Sequence, residues 1–193
     1  PDADHAYFDI DNEGILYQTM DHLIGLGHRR IAFINGQPGH GFASARMRGY
    51  LRALHDAGLS PDPAIVSEGE MTEARGLLAT IGMCREGAPR PTAIICSDVR
   101  LAKGVYRALE ALGLSIPGDV SVMAHDDHLP QLRASAFFPA LSVTKAPLRD
   151  SWKPLTDCLT GLLDGRPLAQ LQIVGHHELI IRNSTGPAPA GGD

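Results

Sequence analysis

Four short, mostly apolar runs constrain this chain more than any other feature: Ile31–Ile34, wholly apolar, then Ala64–Val66, Ala93–Cys96 and Val120–Met123. Runs of this kind suit strands buried on both faces, as in parallel sheets. Segments of helical period alternate with them. The first opens after Asp11-Asn12, either of which can cap it, and carries Ile15, Leu16, Met20, Leu23 and Ile24 up to Gly27. The next runs from about Ala43 to Ala57 with Met47, Tyr50, Leu51 and Leu54 as its stripe. A third follows Thr72, and a fourth starts at Val99 and ends at Gly113. Strands alternating with helices predict an α/β fold: an open parallel sheet with helices on both faces and right-handed crossovers.

The last third is less regular. A strand over Leu141–Thr144, a helix over Leu148–Leu163 and strands near Gln172–Val174 and Glu178–Ile181 are expected. The segment from Ser142 to Pro167 looks appended to the four-strand unit. Pro187–Asp193 reads as a loose tail.

Composition narrows the function. The chain has 193 residues, 44% hydrophobic and 20% charged, with net charge −5. That is ample for a core and excludes a disordered chain. The acidic balance argues against direct contact with nucleic acid. Cys84, Cys96 and Cys158 are too scattered for a disulfide framework or a zinc site and fit a reducing cytosol. No apolar run spans a bilayer, and Pro1–His5 lacks the layout of a secretory signal. Without an initiator Met, the chain reads as processed or as a fragment.

Ligands of open parallel sheets bind beyond the carboxyl ends of the strands. The polar groups there are Asn35, Gly36 and Arg46, then Glu68–Met71, then Ser97 and Asp98, then His125–His128. The loop Gly36-x-x-Gly39-x-Gly41 has the wrong order for a dinucleotide fingerprint and lacks the Lys-Ser/Thr of a phosphate loop. His125-Asp-Asp-His128 has ligand-type side chains, but adjacent residues rarely converge on one ion, so no metal is expected. No Gly-x-Ser-x-Gly elbow appears. Arg29 and Arg30, past a helix end, suit the helix dipole. Arg46 stands out: at the rim it can make several fixed hydrogen bonds to one ligand, or form a salt bridge to a rim carboxylate.

Several stretches in order and spacing carry a resemblance: Asp9–Asn12; His22-Leu23 with Gly27–Ile34; Arg46-x-x-Gly-Tyr with Ala57-Gly58; Pro91–Ile94 with Ser97-Asp98; Gly113–Pro117 with Asp119–Val122; Asp126-Asp127; Leu141–Thr144 with Pro147; Gly161–Gly165; and Arg182–Thr185. From Asp9 to Thr185 the chain resembles the effector-binding region of LacI/GalR-type transcriptional regulators, with a periplasmic-binding-protein-like fold.

The resemblance implies a second, flavodoxin-like lobe made of 9–138 and 170–184. It implies a crossing segment, 142–168, belonging to the first lobe, and a disordered tail over 185–193. It implies a small polar, sugar-like effector contacted by Arg46, Met71, Ser97, Asp98, Asp126 and Leu148. A homodimer is expected through Ala74, Leu101, Val105, Leu129 and Leu132, with small residues Gly76, Ala102 and Gly104 allowing close approach. Operator DNA would be reached only through a helix-turn-helix absent from this chain. Neither enzyme activity nor a cofactor is implied. The alternatives are a solute-binding protein of a transporter, or an enzyme on a flavodoxin-like sheet using Asp126, Asp127 and His128. Met71, where an aromatic is usual, puts flat stacking on a sugar in doubt.

Overall fold

Helix starts are fixed by side chains that accept from otherwise unpartnered N–H groups. Asp11 accepts from Gly14 at the start of α1 (Asn12–Gly25), Thr72 from Arg75 at α3 (Glu73–Met83), and Asp98 from Leu101 at α4 (Val99–Ala111). Between them lie β2 (Ile31–Asn35), α2 (Gly41–Asp56), β3 (Val66–Glu68) and β4 (Ala93–Cys96), and β5 (Ser121–Asp126) follows α4. A computed structural model describes residues 4–85, 87, 89–126, 129, 131–146 and 151–190.

The main sheet has six strands in the order β3-β2-β4-β5-β6-β8, where β6 is Ser142–Lys145 and β8 is Glu178–Ile180. All neighbours are parallel except the closing β6–β8 pair. Alternate residues of each strand face opposite layers. On one face Phe33, Ile95 and Met123 meet Ile15, Leu16, Tyr50 and Leu54 of α1 and α2. On the other, Ile34, Ile94, Cys96 and Val122 meet Leu101, Val105 and Leu109 of α4. This is the expected parallel sheet with helices on both faces.

Helix pairs approach closely through glycine. A Cβ on Gly49 of α2 would lie 2.2 Å from the Glu13 carbonyl oxygen of α1. One on Gly104 of α4 would lie 2.0 Å from that of Glu73, and one on Gly76 of α3 would lie 2.1 Å from that of Leu101. The small residues of α3 and α4 therefore seat these two helices on each other.

A second, smaller body stands apart from this sheet. β1 (Tyr7–Ile10) pairs in parallel with β7 (Gln172–Gly175), and α5 (Trp152–Leu163) packs on them through Cys158 and Gly161. Trp152, Leu155, Leu159 and Leu163 of α5 remain exposed.

Four expectations change. Ser142–Lys145 belongs to the main sheet rather than to the crossing segment, because it pairs with β5 along its whole length. Gln172–Gly175 belongs to the small body, not to the main lobe, as does Asp9. The run Pro63–Ile65 is a 3-10 turn, and the strand starts at Val66. Residues 185–190 are not a loose tail: Gly186 bonds to His28 and Ser121, and Ala188 N–H donates to the Leu26 carbonyl. Residues 191–193 lie outside the described residues.

Candidate functional site

The carboxyl ends of β2, β4 and β5 converge on one edge of the sheet. The crossovers to the small body at Asp11 and at His176-His177 also run there. A cleft of about 230 Å³ opens at this edge, lined by Phe8, Asp9, Ile10, Asn12, Phe42, Arg46 and Met71. One wall is β1 of the small body. The other is the first turns of α1 and α2.

Arg46 is the charged floor of the cleft and is only 3% exposed. Its Nε donates to Asn12 Oδ1 at 3.0 Å and one terminal nitrogen to the Ser97 carbonyl at 2.6 Å. Its guanidinium carbon also lies 5.2 Å from the centre of the Phe42 ring. Burial of a guanidinium is sustained only by such partners.

Two phenyl rings supply the apolar part of the cleft. Phe42 lies against the backbone of Gly36, where a Cβ would come within 2.8 Å of the ring. Phe8 lies on Gly175 in the same way, also at 2.8 Å. The His40 ring stacks behind Phe42, with centroids 5.6 Å apart and planes 12° from parallel.

The remaining expected site residues divide. Met71 lines the cleft and also packs on the core. Asp126 ends β5 and is 8% exposed, in register with Lys145. Ser97 and Asp98 are turned inward. The Ser97 hydroxyl donates to Asn35 Oδ1 at 2.8 Å, and Asp98 caps α4 while pairing with Arg100 at 2.5 Å. They brace the site and do not line the cleft. Asn35 is the knot of that brace: its amide donates to the Ala43 carbonyl and to Glu68, and its Oδ1 accepts from Gly36 N–H. Leu148, Asp127 and His128 lie outside the described residues. Among the described residues no group of three or more His, Cys, Asp or Glu is placed to hold a metal ion. At the second crossover, burial holds His177 below the usual imidazole range, against the opposing pull of Asp11.

The expected dimer residues also divide. Leu101 and Val105 are fully buried against the sheet, so they face their own core and not a partner. Leu129 and Leu132 are half-buried against that same core. Ala74 is exposed, on the same side of α3 as Leu78 (68% exposed) and Ile81 (40% exposed).

Phe8, Phe42 and Asn12 also line the cleft and are not among the expected contacts. Phe42 had a signal, since a residue four before Arg46 shares its helix face. Phe8 had none, because its strand forms only with β7, far along the chain.

Residues 20–185 match the family model of a periplasmic binding protein-like domain. The chain is 39% identical over 186 residues to the HTH-type transcriptional regulator AglR of Rhizobium meliloti, covering 96% of this chain and 52% of that protein. It superposes on a regulatory protein of the LacI family from Chloroflexus aggregans with a TM-score of 0.87 and 32% identity, covering 96% of this chain and 66% of that one. For the transcriptional regulator CelR–cellobiose complex the TM-score is 0.82 at 29% identity, covering 95% and 55%. The chain spans about half the length of AglR and of most other curated relatives it matches. These relatives are transcriptional regulators, and no helix among the described residues is long and apolar enough to cross a membrane. Fold and kinship agree, and the chain belongs to the LacI family of transcriptional regulators, as a periplasmic-binding-protein-like effector-binding domain.

Proposed function

We propose that this domain senses a small polyhydroxylated metabolite in the cytoplasm, and that the ligand settles in the cleft between the small body and the main sheet. The observation that carries this reading is Arg46, buried at the floor of a cleft whose lining joins Asp9 and Asn12 to the apolar Phe8, Ile10, Phe42 and Met71. A guanidinium with Asn12 and Asp9 beside it offers directed hydrogen bonds to hydroxyls. The faces of Phe8 and Phe42 suit the C–H side of a sugar ring and take over the role that Met71 cannot fill. The relative solved with cellobiose supports a sugar class.

In this reading the main sheet is the second lobe, and the small body is part of a first lobe. The exposed apolar side of α5 packs against the rest of that lobe in the full regulator. Control of operator DNA then acts through a helix-turn-helix outside this chain. A homodimer is formed through α3, whose exposed Ala74, Leu78 and Ile81 make one self-complementary strip, as an isologous contact needs. Catalysis has no part in this reading.

Calorimetry with cellobiose and ribose tests it. The full-length regulator binds one of them, and this domain alone binds it weakly or not measurably, because a two-lobed site gains affinity from both walls. Arg46→Ala or Asp126→Ala in the full-length protein costs about 2–4 kcal/mol, since buried ligand groups are left unpaired. Unchanged affinity in both variants removes the site from this cleft.

A further inference from the structure

Asn12 is 4% exposed and stands between the two bodies. Its amide orientation is fixed by its partners. A guanidinium only donates, so Oδ1 faces Arg46 Nε at 3.0 Å. A carboxylate and a carbonyl only accept, so Nδ2 donates to Asp9 Oδ1 at 3.3 Å and to the Ile10 carbonyl at 3.2 Å. Asp9 and Ile10 lie on β1, which pairs with β7 and with no described strand of the main sheet. On its other side Arg46 holds the Ser97 carbonyl, and Ser97 holds Asn35, which holds Glu68 at the end of β3. Hydrogen bonds therefore run from the small sheet through Asn12 and Arg46 to the Ser97 carbonyl at the end of β4, and the Ser97 hydroxyl carries a second set on to the ends of β2 and β3.

We infer that Asn12 is the coupling residue of the cleft: its carboxamide ties the β1 strand to Arg46, so that a change at the Arg46 guanidinium is felt by the small body. Asp9, Asn12 and Arg46 all line the cleft. A guest that accepts from Arg46 or donates to Asp9 alters one end of the Asn12 link, and the other end must adjust. Hydrogen bonds in series in a low-dielectric site reinforce one another, so the line responds as a unit. Asn12 acts through Arg46 and β1 and is a positioning residue. Its regulatory meaning rests on the cleft being the effector site; the link itself does not.

The experiment contains no effector, so its failure is distinct from failure of that reading. Amide hydrogen exchange of Tyr7–Ile10 is followed by mass spectrometry in the wild type, Asn12→Asp, Asn12→Ala, Arg46→Met and the Asn12→Ala/Arg46→Met double variant. Asn12→Asp keeps the acceptor for Arg46, removes the donor to β1 and sets a second carboxylate against Asp9, so both changes fall on the β1 end of the link. Each single variant should speed exchange in β1 about tenfold while β2, β4 and β5 keep their protection. The double variant should exchange no faster than either single one, because both break the same link. Unchanged β1 exchange in Asn12→Asp overturns the inference. So do additive effects in the double variant, or an equal loss of protection across the main sheet.

Discussion

Replacing Gly104 with alanine tests how the α3–α4 pair is held. The new Cβ would sit 2.0 Å from the Glu73 carbonyl oxygen and 2.5 Å from the Leu77 nitrogen, where ordinary contacts begin near 3.4 Å. Both neighbours are backbone, so no side chain can swing aside; α3 must move off by more than an ångström or tilt. Over-packing of this kind costs about 1–3 kcal/mol, and rigid neighbours on the facing helix put this site at the upper end. Alanine's helix propensity returns up to about 1 kcal/mol. The net loss is about 2 kcal/mol, or a fall in Tm of about 4–8 °C for a chain of this size. Gly82, also in α3, has nothing within 4 Å of its Cβ position. Gly82→Ala should therefore stabilise by about 0.5–1 kcal/mol from propensity alone. Urea and thermal unfolding of both variants measure the contrast. A Gly104→Ala protein as stable as the wild type would refute the close-approach argument.

Acid should loosen the base of the sheet. His28 is fully buried, with Nδ1 accepting from Thr92 and Nε2 donating to the Gly186 carbonyl; His22 meets Thr185. Burial is the main cause that lowers both pKa values from the usual imidazole range. The unfolded chain thus binds protons first, so stability is complete above about pH 7 and falls as pH drops through about 6.5 toward the native pKa values. Tm measured from pH 7.5 to 5 should decline in the wild type and flatten in His28→Asn; equal slopes would contradict this. For self-association, Leu78→Glu and Ile81→Glu should turn a dimer into a folded monomer in sedimentation velocity, whereas Leu101→Glu should unfold the chain. A dimer indifferent to both α3 charges would place the interface elsewhere.

The centre of the sheet was legible because β2 and β4 are built on continuous apolar runs, and Ala93–Cys96 is found where the sequence puts it. The helix caps Asp11, Thr72 and Asp98 carried their own local signals. What failed was non-local. β1 has little pattern of its own and exists through pairing with β7, more than 160 residues later. The Pro-Gly-rich end looked unable to pack, yet His28 and Ser121 offer its backbone fixed partners. The place of Arg46 in the cleft was legible because its helix starts at the carboxyl end of β2, with Arg46 beside the apolar stripe. Ser97 and Asp98 are expected as ligand contacts because they sit at a strand end, but polar side chains there can equally serve the fold: the Ser97 hydroxyl donates to Asn35 and Asp98 caps α4. Leu101 and Val105 belong to the same apolar stripe as the core, and periodicity alone does not tell a buried face from a partner-binding one.

The proposed ligand site is the cleft floored by Arg46. An NMR titration of the ¹⁵N-labelled domain with cellobiose and with ribose tests it most directly, because chemical shifts register binding too weak for calorimetry. Shifts for one of the two sugars should cluster at Phe8, Asp9, Ile10, Asn12, Phe42, Arg46 and Met71 and vanish in Arg46→Met. Shifts that cluster instead in the groove formed by Tyr106, Phe137 and Phe138, or that persist unchanged in Arg46→Met, would contradict the account.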